Sequence, residues 1–178
     1  MERALFIGRF QPFHKGHEDA VLQIARAEDV DEVIIGIGSC RYHHWFGNPF
    51  TFEEREEFIR RSLKIDLPFQ VIAIPDVHDF PKWVPHVESL CPKFDIVYCG
   101  NTVVNPLFEA RGYHVEVLQR ILNISATQVR DRMVSGKNWQ DLVPYGTRQV
   151  LEEIDGAERI RSLHDKHSRA TYRQLYFC

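Results

Sequence analysis

The segment 4–17 constrains the fold of this chain more than any other. Ala4-Leu5-Phe6-Ile7 is an unbroken apolar run, Gly8 closes it, Pro12 marks a tight turn, and His14-Lys15-Gly16-His17 opens a helix. A short apolar run bounded by Gly and Pro reads as a strand covered on both faces. A strand ending in a glycine turn lets backbone approach a ligand. The helix start that follows offers unpaired N–H groups and a positive dipole end to an anion. His14 and His17 then fall about one helical turn apart, on one face. Imidazole donors at such a place stabilise charge that grows on phosphate oxygens during transfer, so nucleotidyl transfer is the expected chemistry. A lone His-x-x-His pair is as readily two ordinary helix-start residues. The strand before it and Gly16 inside it tip the reading toward function.

Further along, apolar or β-branched runs at 32–37, 70–74, 95–99 and 114–118 join 4–10 as strand candidates, with helical patterns between them. Their hydrophobicity is continuous rather than alternating, as in Val33-Ile34-Ile35, which suits strands of a parallel sheet built from βαβ units. An α/β fold with a doubly wound parallel sheet follows, with a helical C-terminal part. Thr51 and Glu54 form a capping-box pattern ahead of a helix at 55–63, Pro81 stands early in a helix containing 83–90, and Gly112 is a helix stop. Helices are expected at 125–133, 147–154 and 158–164. The whole chain, 1–178, reads as one domain, with 1–124 as sheet core and 125–178 as helices.

In such a sheet, ligands bind at the carboxyl ends of the strands where the winding reverses. The first strand is the natural reversal point, which places the Gly8 to His17 segment where a site is needed. Gly36 and Gly38 do not form a dinucleotide fingerprint, because Arg41 occupies the third glycine position and no helix begins there. They are expected to allow a loop turn or close backbone approach to a ligand.

Composition narrows the partners. The 178 residues carry a formal charge of -3 with no Lys/Arg-rich block, which gives no footprint for nucleic acid. No apolar run approaches the length of a membrane span, and Glu2 and Arg3 stand where a secretory signal needs its basic start, so a cytoplasmic protein is expected. Cys40, Cys91, Cys99 and Cys178 form no Cys-x-x-Cys pair and read as buried or incidental thiols. His164 and His167 lack a Cys or carboxylate partner and read as a solvated helix face. No metal-ligand cluster is expected.

After the last strand candidate, Ile124-Ser125-Ala126-Thr127-Gln128-Val129-Arg130 places two hydroxyls and an arginine at a helix start. Ser125 suits the N-cap, and the forked Arg130 suits phosphate oxygens. Alone, this segment reads as an ordinary capped surface helix. With the first motif in place, it reads as a second phosphate clamp.

Gly8, Phe10, His14, Gly16 and His17 match without a gap the Gly-x-Phe-x-x-x-His-x-Gly-His signature of the nucleotidylyltransferase superfamily. Residues 124–130 resemble its Ile-Ser-x-Thr-x-x-Arg motif. Further landmarks at Pro49-Phe50-Thr51, Trp83-Val84-Pro85-His86 and Tyr98-Cys99-Gly100-Asn101 make nearly the whole chain similar to the archaeal-type nicotinamide-nucleotide adenylyltransferases. The resemblance implies adenylyl transfer from ATP to nicotinamide mononucleotide (NMN), giving NAD and pyrophosphate, with Mg2+ carried on the nucleotide phosphates. It implies that Arg9, His14, His17, Ser125, Thr127 and Arg130 hold the triphosphate, that Gly100 and Asn101 lie near the adenosine, and that Gly8, Phe10 and Gly16 shape the ATP site. His14, His17 and Arg130 are the catalytic candidates.

By the same resemblance Trp83 stacks on the nicotinamide ring, a role consistent with the attraction of a pyridinium for an indole face. A Trp in an amphipathic helix is otherwise most often core. Asp76 or Asp79 contacts the acceptor nucleotide or caps the helix that follows. Where relatives carry Arg-Asp before Pro-Phe-Thr, this chain has Gly47 and Asn48; Arg41, His43 and His44 are the candidates to supply the missing basic contact. A closed homo-oligomer, often a hexamer, is also implied.

The residues leave two alternatives open: another phosphorylated acceptor, such as phosphopantetheine or flavin mononucleotide (FMN), and a nucleotide sensor without catalysis.

Overall fold

The computed structural model describes residues 1–77, 79–98, 105–119 and 122–176, with side chains through His167 in the last helix. Five strands, β1 (Arg3–Gly8), β2 (Glu32–Gly38), β3 (Phe69–Ile74), β4 (Ile96–Tyr98) and β5 (His114–Glu116), form one sheet in the order β3-β2-β1-β4-β5. Every pairing is parallel. The chain winds outward from β1 to β3, then returns past β1 to β4 and β5. The winding therefore reverses between β1 and β4, with Gly8 at the carboxyl end of the central strand. β1 stops at Gly8 rather than running to residue 10, because Phe10 adopts a left-handed conformation with φ 52° that no extended strand accommodates.

The residues group into two compact units. The first, Met1–Arg9, Gly16–Arg41 and Lys64–Asn123, holds the sheet, nearly all of α1 (Lys15–Ala25), α3 (Phe80–Leu90) and α4 (Asn105–Glu109). The β1-to-β2 and β3-to-β4 connections cross the sheet in opposite directions, so right-handed crossovers put α1 and α3 on opposite faces. On the α3 face, Leu5, Ile34, Ile74 and Val97 pack with Val84, Val87, Phe94 and Phe108. The alternate residues Ala4, Phe6, Val33 and Ile35 point the other way and are equally buried, as are Val21 and Ile24 of α1. Two buried faces explain why the strands read as continuous apolar runs.

Gly36 is fixed by packing. A Cβ there would lie 2.5 Å from Ile74 Cδ1 and 3.2 Å from Ile7 Cγ1, so this glycine admits a neighbouring side chain, not a ligand edge. Gly112 has φ 85° just beyond α4, as a helix stop requires.

The second unit, Phe10–Lys15, Tyr42–Leu63 and Ile124–Cys178, holds α2 (Phe52–Ser62), α5 (Ala126–Val134), α6 (Tyr145–Glu153) and α7 (Gly156–Tyr176). The capping box before α2 forms as read: Glu54 N–H donates to Thr51 Oγ1 at 3.3 Å, and Thr51 N–H donates to Glu54 Oε2 at 2.9 Å. α2 and α6 meet closely. Ser62 and Thr147 hydroxyls share a buried hydrogen bond of 2.9 Å, and a Cβ on Gly146 would lie 2.3 Å from the Arg61 carbonyl carbon. α7 is far longer than the expected 158–164. His164 is only half solvated, since its ring packs edge-on against Phe46 with centroids 5.3 Å apart, whereas His167 is exposed.

Candidate active site

In the second unit, the turn after β1 is buried. Phe10, Gln11, Phe13 and His14 are each exposed by 5% or less, and the Gln11–Pro12 peptide bond is cis. The Gln11 amide clasps one residue of the loop before α2: its Nε2 donates to Phe50 O at 3.1 Å and its Oε1 accepts from Phe50 N–H at 3.0 Å. Both Phe50 backbone groups are thereby satisfied in a dry place.

The Gln11 carbonyl makes the third contact. It accepts from Arg130 Nη1 at 2.7 Å, across 119 residues of sequence. Arg130 Nη2 donates to Thr127 Oγ1 at 3.3 Å, and its guanidinium carbon lies 5.7 Å from the Phe46 ring centroid. Ser125 caps α5, its Oγ accepting from Gln128 N–H at 3.1 Å. The fold thus joins the second motif directly to the turn of the first. A charged guanidinium exposed by only 6% is costly to bury unless hydrogen-bonded groups surround it. Held this way, Arg130 is a preorganised donor.

Gln11 was not singled out from the sequence. A glutamine beside a proline carries no signal of a clasp to residue 50, because the contact is made by backbone groups far away in the chain.

The loop 42–48 is a small antiparallel bridge: Asn48 N–H donates to Trp45 O at 3.0 Å. A Cβ at Gly47 would fall 2.5 Å from the Trp45 ring, so any side chain there must displace that indole. Asn48 is exposed by 3%, and its Oδ1 is buried without a hydrogen-bond partner among the described residues. His43 and His44 contact each other through their Nδ1 atoms.

In the first unit, β1 delivers Gly8 and Arg9 at its carboxyl end, and Gly16 and His17 stand in the first turn of α1. Trp83 on α3 is half-buried and rests against the core cluster, with its Nε1 buried and unpartnered among the described residues. It is neither wholly core nor wholly free. His86, one turn on, bonds the Pro75 carbonyl at 2.9 Å. Asp76 accepts from Ser39 Oγ at 3.1 Å, linking the loops after β3 and β2. Asp79 occupies the N-cap position of α3, yet its side chain makes no cap bond and pairs with Lys82 at 2.8 Å instead. Gly100, Asn101 and Cys99 lie outside the described residues, as does Cys178. Burial pushes the Cys91 thiol up to about 11, which keeps it protonated and unreactive.

Among the described residues, no three His, Cys, Asp or Glu side chains are grouped to hold a metal ion.

A family model described as cytidylyltransferase-like matches residues 5–143. The chain is 45% identical over 168 residues to a nicotinamide-nucleotide adenylyltransferase of Pyrococcus horikoshii, covering 92% of this chain and 89% of that one. It is 46% identical over 167 residues to the protein of the same name from Methanococcus aeolicus, covering 92% and 96%. The chain belongs to the nicotinamide-nucleotide adenylyltransferase family. It is therefore a nucleotidyltransferase, as the resemblance implied. Among solved structures, a bifunctional NMN adenylyltransferase/ADP ribose pyrophosphatase of Francisella tularensis, crystallised with AMP and a manganese ion, superposes with a TM-score of 0.74 at 21% identity. That match covers 98% of this chain and 55% of the other, and at this identity it establishes the shared fold.

Proposed function

We propose that this chain carries out the reaction of its family, adenylyl transfer from ATP to NMN to give NAD and pyrophosphate, through the residues of its two phosphate motifs. The observation that supports the assignment of roles is the Arg130 to Gln11 hydrogen bond, which joins the second motif to the turn of the first. The acceptor phosphate attacks the α-phosphorus of ATP in line, the bond from that phosphorus to the bridging oxygen of the β-phosphate breaks, and pyrophosphate leaves. The acceptor phosphate is already ionised near neutral pH, so no side chain need remove a proton and no protein nucleophile is required.

His14 and His17 are assigned to the α- and β-phosphate oxygens at the start of α1, where backbone N–H groups add their own donors. Arg130, with Ser125 and Thr127 beside it, is assigned to the departing pyrophosphate, and Arg9 to the triphosphate. Gly8, Phe10 and Gly16 shape the backbone around ATP, and Gly100 and Asn101 are assigned to the adenosine. Trp83 takes the nicotinamide ring, for which its half-buried indole is suited, and Asp76 or Asp79 a polar group of the acceptor. Magnesium is assigned to the triphosphate itself, where it offsets negative charge on the oxygens. The chain is read as a single catalytic domain, working in the cytoplasm as a homo-oligomer, possessing no nucleic-acid or membrane partner.

The test is a magnesium-dependent assay with ATP and NMN that resolves NAD and pyrophosphate, with phosphopantetheine and FMN in parallel. Pyrophosphate release is expected with NMN, accompanied by NAD, and not with phosphopantetheine or FMN. Replacing His17 by Ala should lower turnover by ~10²-fold or more while the thermal midpoint stays put. Near-normal turnover would remove His17 from the mechanism.

A further inference from the structure

The loop after β3 is held from two sides within the first unit. On the β2 side, Ser39 Oγ donates to Asp76 Oδ1 at 3.1 Å. Gly38 pairs with Ile74 where the two strands end, and Cys40 N–H reaches Ile74 O at 3.5 Å, so Ser39 turns between two points fixed to β3. It does so with φ 51°, a left-handed backbone that a serine adopts at a cost and that persists only where the surroundings impose it. On the α3 side, His86 Nε2 bonds Pro75 O at 2.9 Å. A carbonyl can only accept, so Nε2 carries the proton and ties the imidazole to the residue before Asp76.

The same imidazole lies 6.4 Å from the Trp83 ring, centroid to centroid, one turn back on α3. A run of contacts therefore leads from Ser39 through Asp76 and Pro75 to His86 and Trp83. It starts at the carboxyl edge of the sheet, where a Cβ on Gly38 would lie 3.8 Å from Gly8 O. Asp79 stands outside this run, its carboxylate paired with the exposed Lys82. Asp76 gives only Oδ1 to Ser39, and its Oδ2 makes no hydrogen bond among the described residues.

We infer that Ser39 and His86 are positioning residues for the acceptor nucleotide: they hold Asp76, rather than Asp79, with Oδ2 turned to a donor of the nucleotide and at a fixed place relative to Trp83. The inference rests on the assignment of Trp83 and an aspartate to the acceptor. A carboxylate already held need not be ordered when the nucleotide arrives, and that saving appears as affinity. A contact away from the reacting phosphate acts alike on bound substrate and transition state, so the brace sets the KM for NMN and not kcat.

The test combines steady-state kinetics with calorimetric titration of the whole chain by NMN, in the presence of the α,β-methylene analogue of ATP, which cannot release pyrophosphate. Ser39→Ala should weaken NMN binding and raise its KM by about tenfold, the loss expected when a hydrogen bond to a charged group is removed. The KM for ATP and kcat should stay within twofold of wild type. Ser39→Gly removes the same hydroxyl in a residue that accepts the left-handed backbone, so it should show the same loss even if the alanine variant folds poorly. In an Asp76→Asn background Ser39→Ala should cost nothing more, because the serine acts through that carboxylate. His86→Ala should also weaken NMN, and His86→Gln, which keeps an N–H donor for Pro75 O, should restore most of the affinity. Unchanged NMN affinity in both Ser39 variants, equal losses for ATP and NMN, or a full further loss in the Asp76→Asn background would each overturn the inference. Wild-type protein that binds NMN without forming NAD would overturn the catalytic reading and leave this one to the calorimetry; wild-type protein that binds no NMN would overturn both.

Discussion

The residues assigned to ATP in the second unit and those assigned to the acceptor in the first are built on different principles. Gln11, His14 and Arg130 are each exposed by 6% or less, and Gln11 alone bonds both Phe50 and Arg130. Trp83 is half-buried with its indole N–H unpartnered among the described residues, Asp76 bonds Ser39 of a neighbouring loop, and Asp79 pairs with Lys82. One side is held by hydrogen bonds within the fold; the other keeps the Trp83 indole N–H without a partner among the described residues. Interactions fixed in advance act most on the transition state, whereas groups that order on binding act on affinity. Substitutions on the first side should therefore lower kcat, and those on the second should raise the KM for the acceptor.

The largest effect expected is at Arg130. Lysine keeps the charge but loses the forked geometry that serves Gln11 O and Thr127 together. Arg130→Lys should cut kcat by ~10²-fold or more with a modest change in KM for ATP, measured by steady-state kinetics. A change confined to KM would break the comparison at its strongest point.

Gln11 comes next. Gln11→Ala leaves the Phe50 N–H and C=O without their partners in a buried place, a cost of about 1–3 kcal/mol. It also frees the turn that holds the Arg130 guanidinium. A drop in kcat on the order of tenfold should accompany a lower thermal midpoint. Gln11→Glu retains an acceptor for Phe50 N–H and loses the donor to Phe50 O, so it should fall between wild type and alanine on both readouts. If stability falls and kcat does not, Gln11 is structural only.

Trp83 tests the other side. Trp83→Ala should raise the KM for NMN on the order of tenfold, from the ~1–2 kcal/mol of a desolvated cation on an indole face, and leave the KM for ATP nearly unchanged. Equal effects on both substrates would mean that the indole serves the α3 core rather than the acceptor.

The same contrast governs what could be read from the sequence. The sheet, its reversal at β1 and the Thr51 and Ser125 caps were legible because each rests on local chemistry: continuous apolar runs and hydroxyls at helix starts. The Gln11 clasp was not legible, since it joins backbone atoms of residues 11 and 50 with a side chain at 130. Gly47 was legible only as a departure from relatives; its physical reason, a Trp45 ring lying across it, needs the folded loop. Of the two readings open for Asp79, the side-chain cap does not form, for a similar reason. Its position predicts a cap, but Lys82 one turn on captures the carboxylate.

The smallest effect lies at the edge of the rigid side and sharpens where that rigidity ends. Glu54 accepts from Arg159 Nη1 at 2.7 Å as well as from Thr51 N–H, and Arg159 Nη1 also reaches the Pro49 carbonyl at 3.4 Å. Burial pushes the Glu54 carboxyl up, but the hydrogen bonds from Arg159 and Thr51 outweigh it and hold the pKa below the usual carboxylate value. A carboxyl whose folded pKa is depressed contributes stability above its unfolded pKa and loses it as pH falls through the folded value. Glu54→Gln keeps an acceptor for Thr51 N–H and gives up the charge, so it should cost about 1 kcal/mol at neutral pH by denaturant unfolding. The gap from wild type should close as acid protonates Glu54 in the native protein. Because Arg159 and Glu54 brace the residues on either side of Phe50 and not Arg130 itself, kcat should scarcely change. A fall in kcat matching that of Gln11→Ala would extend the preorganised region from the turn through the loop 49–51 to α7.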